Sequence, residues 1–420
     1  MECAVIHCFS IPMSQTAPAF KILGYRDFRY SLISRFLAEF GLMMVSVAVG
    51  WQVYGLTHQA MALGIVGLMQ FAPAFVMTLP GGLASDRFDR RNVLLFGYIL
   101  ETIVAATLLT LTVSHHLHVG LIYGVLTLVG VGRAFIAPAS QSLVPFLVPQ
   151  GDFVRAVAWA SSSFQAAAIA GPAAGGLLYG FGPGYVYGFA LGCFLVAGVL
   201  IVSLQTRLKI HNPSAAGLKA LFSGVRFVFE RKIILGAVSL DLFAVLFGGA
   251  TALLPIYASD ILHTGPWGLG MLRSAPALGA GITALWIAQR PIRHRVGLKL
   301  FLCVALFGVF TIAFGVSRSF WASLVLLTLL GAVDMVSVVV RQTLVQVNTP
   351  DEMRGRVSAV NMLFIGASNE LGEFESGATA AWFGVVRSVV IGGIGTLGVV
   401  GFWTWLFPDL RRMHDLDPKA

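Results

Sequence analysis

Glu370, Glu373 and Glu375 follow Asn369 in a stretch otherwise dominated by small and apolar residues. At helical spacing Gly366, Glu370, Glu373 and Gly377 share one face. Carboxylates this close repel one another where solvation is poor, so a proton shared among them is the expected chemistry. Other ionisable residues also fall inside apolar runs: Arg35 and Glu39 one turn apart, Glu101, Arg133, Asp241, Arg273, Asp334 and Arg341. An ionised group near a bilayer centre costs at least ~2.5 to 3.5 kcal/mol, so each should face a cavity or a partner. Glu39, Arg133, Asp241, Asp334, Glu370 and Glu373 are the candidates for a proton-coupling or substrate cavity. A structural ion-pair network is the competing reading. Arg35 lies near the edge of its run and is expected to snorkel, with Glu39 in reach at i,i+4. His115, His116 and His118 have no further ligands near them, so a solvated loop is expected there and no metal or cofactor.

The elements that position these residues follow from composition. Of 420 residues 57% are hydrophobic and 11% charged, with a mean hydropathy of +0.83, against about 25% charged in an ordinary soluble domain. A soluble fold could not hide so much apolar surface, so the bilayer is the expected partner. The apolar residues form blocks of about 20 to 25, long enough to cross as helices, and runs without polar alternation exclude a barrel. Twelve such blocks divide the chain into an N-terminal segment 1–30, a six-helix half 31–204, a linker 205–233, a second six-helix half 234–407 and a tail 408–420. The linker carries Leu218, Leu221, Phe222, Val225 and Phe229 at helical spacing, with Lys219, Arg226 and Glu230 on the other side. That pattern suits an amphipathic interfacial helix or a solvated connecting helix.

Of the 28 Lys and Arg residues four lie within spans, two (Arg318 and Arg387) lie in loops on one side, and all the rest lie on the other side. This bias places both termini and the linker in the cytoplasm, and it explains the net charge of +9 without a nucleic-acid partner. Cys3, Cys8, Cys193 and Cys303 show neither disulfide nor metal spacing. Residues before Lys21 show no basic stretch followed by a cleavable apolar core, so the first span is expected to act as its own insertion signal, with Met13 as an alternative start.

Gly82, Asp86, Arg87, Asp89, Arg90 and Arg91 form a turn in which carboxylates meet guanidiniums. Arginine forks can hold a carboxylate or the carbonyl end of a helix and let go when helices tilt, so the turn suits a breakable latch; a topological anchor is the alternative. The spacing resembles the signature of the major facilitator superfamily between helices 2 and 3, with Asp89 where a glycine is usual. Gly171, Pro172, Gly175 and Gly176, with Ala158 and Ala167, are similar to that family's antiporter signature in helix 5, a close-packing and pliable segment. Arg133 after Gly130 and Gly132 fills the position of the family's helix 4 arginine, although Ile136 and Ala137 replace its Gln-Gly. Residues 133–139, 253–257 and 349–356 resemble the enterobactin-exporter-like branch, and the likeness runs from Tyr25 to Leu410.

The resemblance implies an all-α polytopic membrane protein with twelve transmembrane helices in two halves, in which helices 1, 4, 7 and 10 line a central cavity. It places helix 3 at the periphery, so Glu101 is expected to be structural. Walker loop, zincin helix and nucleophile elbow are all missing, which argues against an enzyme or an ATP-driven pump. The expectation is a monomeric, proton-coupled exporter of a small amphipathic compound, such as a drug or siderophore, in the bacterial cytoplasmic (inner) membrane. Import of a small polar metabolite, or a sensor or assembly role without transport, are the other classes. The excess of embedded acids over arginines argues against a strongly anionic substrate. The charge bias is tested directly by topology: an impermeant thiol reagent applied from outside should label Gly184→Cys and miss Pro213→Cys, and the reverse pattern would invert the orientation.

Overall fold

The structure is a computed structural model that describes residues 19–206, 218–290, 292 and 294–413. The alternative start at Met13, most of the tail and residues 207–217 of the linker lie outside the described residues. Six long helices come first: α1 (Arg26–Thr57), α2 (Ala60–Arg87), α3 (Arg90–Val113), α4 (Val119–Leu143), α5 (Phe153–Tyr179) and α6 (Pro183–Val202). A shorter α7 (Leu218–Glu230) is followed by α8 (Lys232–Phe247), α9 (Gly265–Gln289), α10 (Val296–Val316), α11 (Phe320–Val347), α12 (Asp351–Phe383) and α13 (Val385–Leu406). Ten spans among the described residues are long and apolar enough to cross a membrane. The long helices α5 and α12 are more polar, α5 through Arg155, Ser161, Ser162, Ser163 and Gln165 and α12 through its acids.

The span Lys232–Ile261 is not one continuous helix. α8 stops at Phe247, and a 3-10 turn (Ala250–Leu253), a single α turn (Leu254–Ile256) and a π turn (Tyr257–Ile261) complete the span. Gly248 and Gly249 allow the break, and Pro255 supplies no N–H to continue a ladder. Both glycines are tightly enclosed: a Cβ on Gly249 would lie 2.7 Å from the carbonyl oxygen of Gly372 in α12, and one on Gly248 only 2.4 Å from the Phe307 ring. Thr396 of α13 donates to the Ala244 carbonyl at 3.0 Å, which helps satisfy a helix end in an apolar setting.

Among the first six helices α1 packs on α5 and α6, α2 on α4, and α3 on α4 and α6. Among the last six α9 packs on α11, α10 on α11 and α13, and α8 on α12 and α13. Two seams join these sets, α2 with α12 and α5 with α9. Each closes through paired glycines at the end remote from α7. A Cβ on Gly377 would lie 2.7 Å from the Gly64 Cα, and one on Gly176 would lie 2.9 Å from the Gly270 Cα. Further toward α7, Ser274 donates to the Ile169 carbonyl at 2.6 Å and Gln165 to that of Ala277. Beyond that point Val154 and Val157 of α5, and Ile282, Leu285 and Trp286 of α9, are exposed.

α7 buries Val228 against Ile234, Val357 and Val360 of α8 and α12, while Phe229 stays exposed, so only part of the expected apolar face is covered by protein. Arg226 and Glu230 pair at 2.7 Å on its open side.

The glycine contacts set a clear expectation for stability. Gly176→Val should cost about 1–3 kcal/mol through overpacking, whereas Gly188→Val, at a site where an added Cβ meets nothing within 4 Å, should be near neutral. Thermal unfolding in detergent compares the two, and equal midpoints would mean that the α5–α9 seam is not close-packed.

Candidate functional site

A cavity of about 110 Å³ lies among α1, α2, α4, α9 and α12. Helical periodicity aims its lining. Leu42, Val45, Ser46 and Val49 share a face of α1, and Leu126, Val129 and Arg133 share one of α4. Glu370 and Glu373 enter one turn apart from α12, Arg273 from α9, and Val66 and Gln70 from α2.

Two polar contacts cross the cavity between the early and the late helices. Arg133 Nη1 donates to Glu370 Oε1 at 2.8 Å, forming an ion pair between α4 and α12. Arg273 Nη1 donates to the Ser46 hydroxyl, joining α9 to α1. Glu373 makes no hydrogen bond and no ion pair within 4 Å among the described residues, although Glu370, Arg273 and Arg133 are within electrostatic reach. Room for it comes from Gly67, where a Cβ would lie 2.9 Å from Glu373 Oε2. With all four ionised, the two arginines and two glutamates balance.

The remaining candidates lie elsewhere. Asp241 and Asp334 border a separate small void among α8, α10 and α11, with Cys303, Phe307 and Ser337. There Asp241 forms a buried ion pair with Arg341, whose Nε has no partner among the described residues. The charges of α8 and α11 thus lie at a void of their own, where Asp241 is paired with Arg341 and Asp334 forms no ion pair among the described residues. Glu39 is not in the cavity lining, and it forms no ion pair with Arg35. The Arg35 Nε is buried without a partner among the described residues, while the residue as a whole is half-buried. Glu101, on a helix expected at the periphery, is 3% exposed and lies within electrostatic reach of Glu39 and Arg133. Arg273 is the cavity residue that the sequence reading left outside its candidates. Its signal was an arginine in an apolar run with no acid three or four residues away.

In the α2–α3 turn Asp89 caps α3 by accepting from the Arg91 N–H at 3.0 Å. Arg91 Nη1 holds the Leu204 carbonyl beyond the end of α6 at 2.8 Å, and Arg90 Nε donates to Ser142 at 3.1 Å with its guanidinium over the Phe146 ring. Asp86 has no hydrogen bond or ion pair among the described residues. Gly82 sits in open space, whereas its neighbour Gly81 makes the close approach, a Cβ there lying 2.2 Å from the Ala134 carbonyl. In α5, Gly171 and Gly175 pack on Met43 and Met44 of α1, and Gly176 on Gly270 of α9.

The profile of the transmembrane secretion effector family matches residues 17–419. The chain belongs to that family. This transmembrane secretion effector is a transporter of the major facilitator superfamily, not an enzyme. It is similar to the enterobactin exporter EntS of Citrobacter koseri, at 25% identity over 93% of this chain and 94% of the relative. The enterobactin exporter EntS of Escherichia coli O1:K1 is likewise 25% identical over 94% of both chains. Among solved structures, a POT family transporter in complex with 5-aminolevulinic acid superposes with a TM-score of 0.72 at 13% identity, covering 92% of this chain and 96% of the other. A bacterial homologue of the lysosomal transporter Spinster, inward-facing and unoccupied, gives 0.68 at 12% identity over 92% and 96%. These two likenesses show the fold.

The two ion pairs of this transporter differ in their surroundings, and stability should separate them. The Arg341 and Asp241 side chains are 2% and 9% exposed, so Asp241→Asn should cost about 3–5 kcal/mol by leaving a buried guanidinium unpaired. The Arg133 side chain is 42% exposed toward the cavity, so Glu370→Gln should cost less than half as much. Chemical denaturation in detergent measures both, and a larger loss at Glu370 would show that the cavity excludes water.

Proposed function

We propose that this transporter is a proton-coupled exporter of a small amphipathic compound, a drug or a siderophore, working by alternating access in the bacterial inner membrane. Six long helices on either side of α7 support a twelve-span fold of two halves. The Lys and Arg bias supports a cytoplasmic location for α7 and both termini. In that orientation the two glycine seams lie at the outer face, as in an inward-facing state.

The carrying observation is the Arg133–Glu370 pair between the halves with the unpaired Glu373 one turn away. Protonating either acid changes the charge that holds Arg133, so proton occupancy biases one arrangement of the halves over the other. Export requires proton and substrate to exclude one another, and acids lining the substrate cavity meet that requirement. The balance of two arginines against two glutamates removes the objection to anionic substrates that the count of embedded acids had raised. An aliphatic lining beside those charges favours an amphipathic solute, and the name of the relatives favours outward transport. Asp86 and the arginines after it supply the latch that re-forms when the halves tilt.

Proteoliposomes with an imposed pH gradient test the reading, with enterobactin and ethidium as probes. Glu373→Gln or Glu370→Gln should abolish gradient-driven accumulation while energy-independent exchange persists. If pH-driven transport survives with both acids neutralised, Glu370 and Glu373 do not couple it and Asp241, Asp334 and Glu39 become the candidates.

A further inference from the structure

Two unlike charges line the cavity without meeting. Arg273, anchored to α1 through Ser46, and Glu373, set against α2 at Gly67, form no ion pair within 4 Å of each other. The second arginine, Arg133, is already engaged by Glu370. A glutamate and a guanidinium left apart in a membrane interior are expensive, and a direct contact would have relieved both. The space between them therefore suits an occupant that answers both charges.

Resting on the reading of this cavity as the transport site, we infer that it receives a zwitterionic head group, an anion on Arg273 and a protonated amine on Glu373. One Nη of Arg273 is held by Ser46 and the other packs close to Gly50, which fixes the guanidinium where it lines the cavity and can meet a carboxylate there. Glu373 has no donor among the described residues, so its oxygens are available to an ammonium. Val45, Val49 and Val66 line the cavity around these groups and take the adjoining carbons. A solely anionic solute would leave Glu373 unanswered, and a solely cationic one would leave Arg273. The arrangement also accounts for exchange, because the ammonium and a proton compete for the same carboxylate.

Binding to the full-length protein in lipid nanodiscs tests this without any gradient. Radiolabelled 2-aminooctanoic acid is displaced by unlabelled 2-aminooctanoic acid, octanoic acid or octylamine. The zwitterion should bind at least about tenfold tighter than either singly charged analogue, a difference of about 1.4 kcal/mol. Arg273→Gln should lower its affinity to that of octylamine, Arg273→Lys should restore part of it, and Glu373→Gln should lower it to that of octanoic acid. Equal affinity for the three compounds, a site that senses only Arg273 or only Glu373, or no saturable binding would each overturn the inference. Coupled flux is measured separately, so failure of binding leaves the exporter reading standing, and failure of pH-driven flux with binding intact removes only that reading.

Discussion

A guanidinium and a carboxylate buried among apolar helices stabilise one another only while they remain in contact, and the 2.8 Å pair of Arg133 and Glu370 is the contact on which the cavity depends. It ties α4 to α12, one from the first six helices and one from the last six. Because one partner is partly open to the cavity, the pair holds the helices together without sealing them. The link between Arg273 and Ser46 does the same for α9 and α1 with a neutral partner, which leaves the guanidinium its full charge. In the proposed mechanism the polar contacts that span the cavity are therefore also the ones that a solute or a proton changes.

Packing around this centre is built for close approach. Where Gly64 meets Gly377 and Gly176 meets Gly270, backbones touch with no side chain between them. Lipid tails give no hydrophobic drive for helices to associate, so such contacts and buried polar links carry the cohesion. The same rule shapes the second polar group. Asp241 and Arg341 pair inside the α8–α11 contact, at a void separate from the cavity, which suits a structural fastener. The turns after α8 are compatible with membrane burial because the Ala244 carbonyl gains a donor from Thr396 and Gly249 lies directly on α12.

The α2–α3 turn joins local chemistry to this architecture. Asp89 stands where a glycine was usual in the family it resembles, and it caps α3. Arg91 grips the Leu204 carbonyl just beyond the end of α6. The close helix approach falls on Gly81, one residue before the glycine that the spacing had singled out, since that is the position facing α4.

By itself the sequence determined the membrane class, the side on which the loop charges gather, and which side chains carry an energetic debt if left in hydrocarbon. All of these are local quantities: an apolar run of sufficient length, or an ionised group within it, has its cost wherever the helix finally lies. Partners are not local. Arg133 finds Glu370 237 residues away, Asp241 finds Arg341 rather than a cavity, and Arg273, which looked like one more embedded cation, lines the central space. Each outcome depends on helix rotation, since at about 100° per residue a shift of one position turns a side chain from a cavity to a neighbour. Those rotations are set by the glycine seams and the break in α8, which only the packed structure decides.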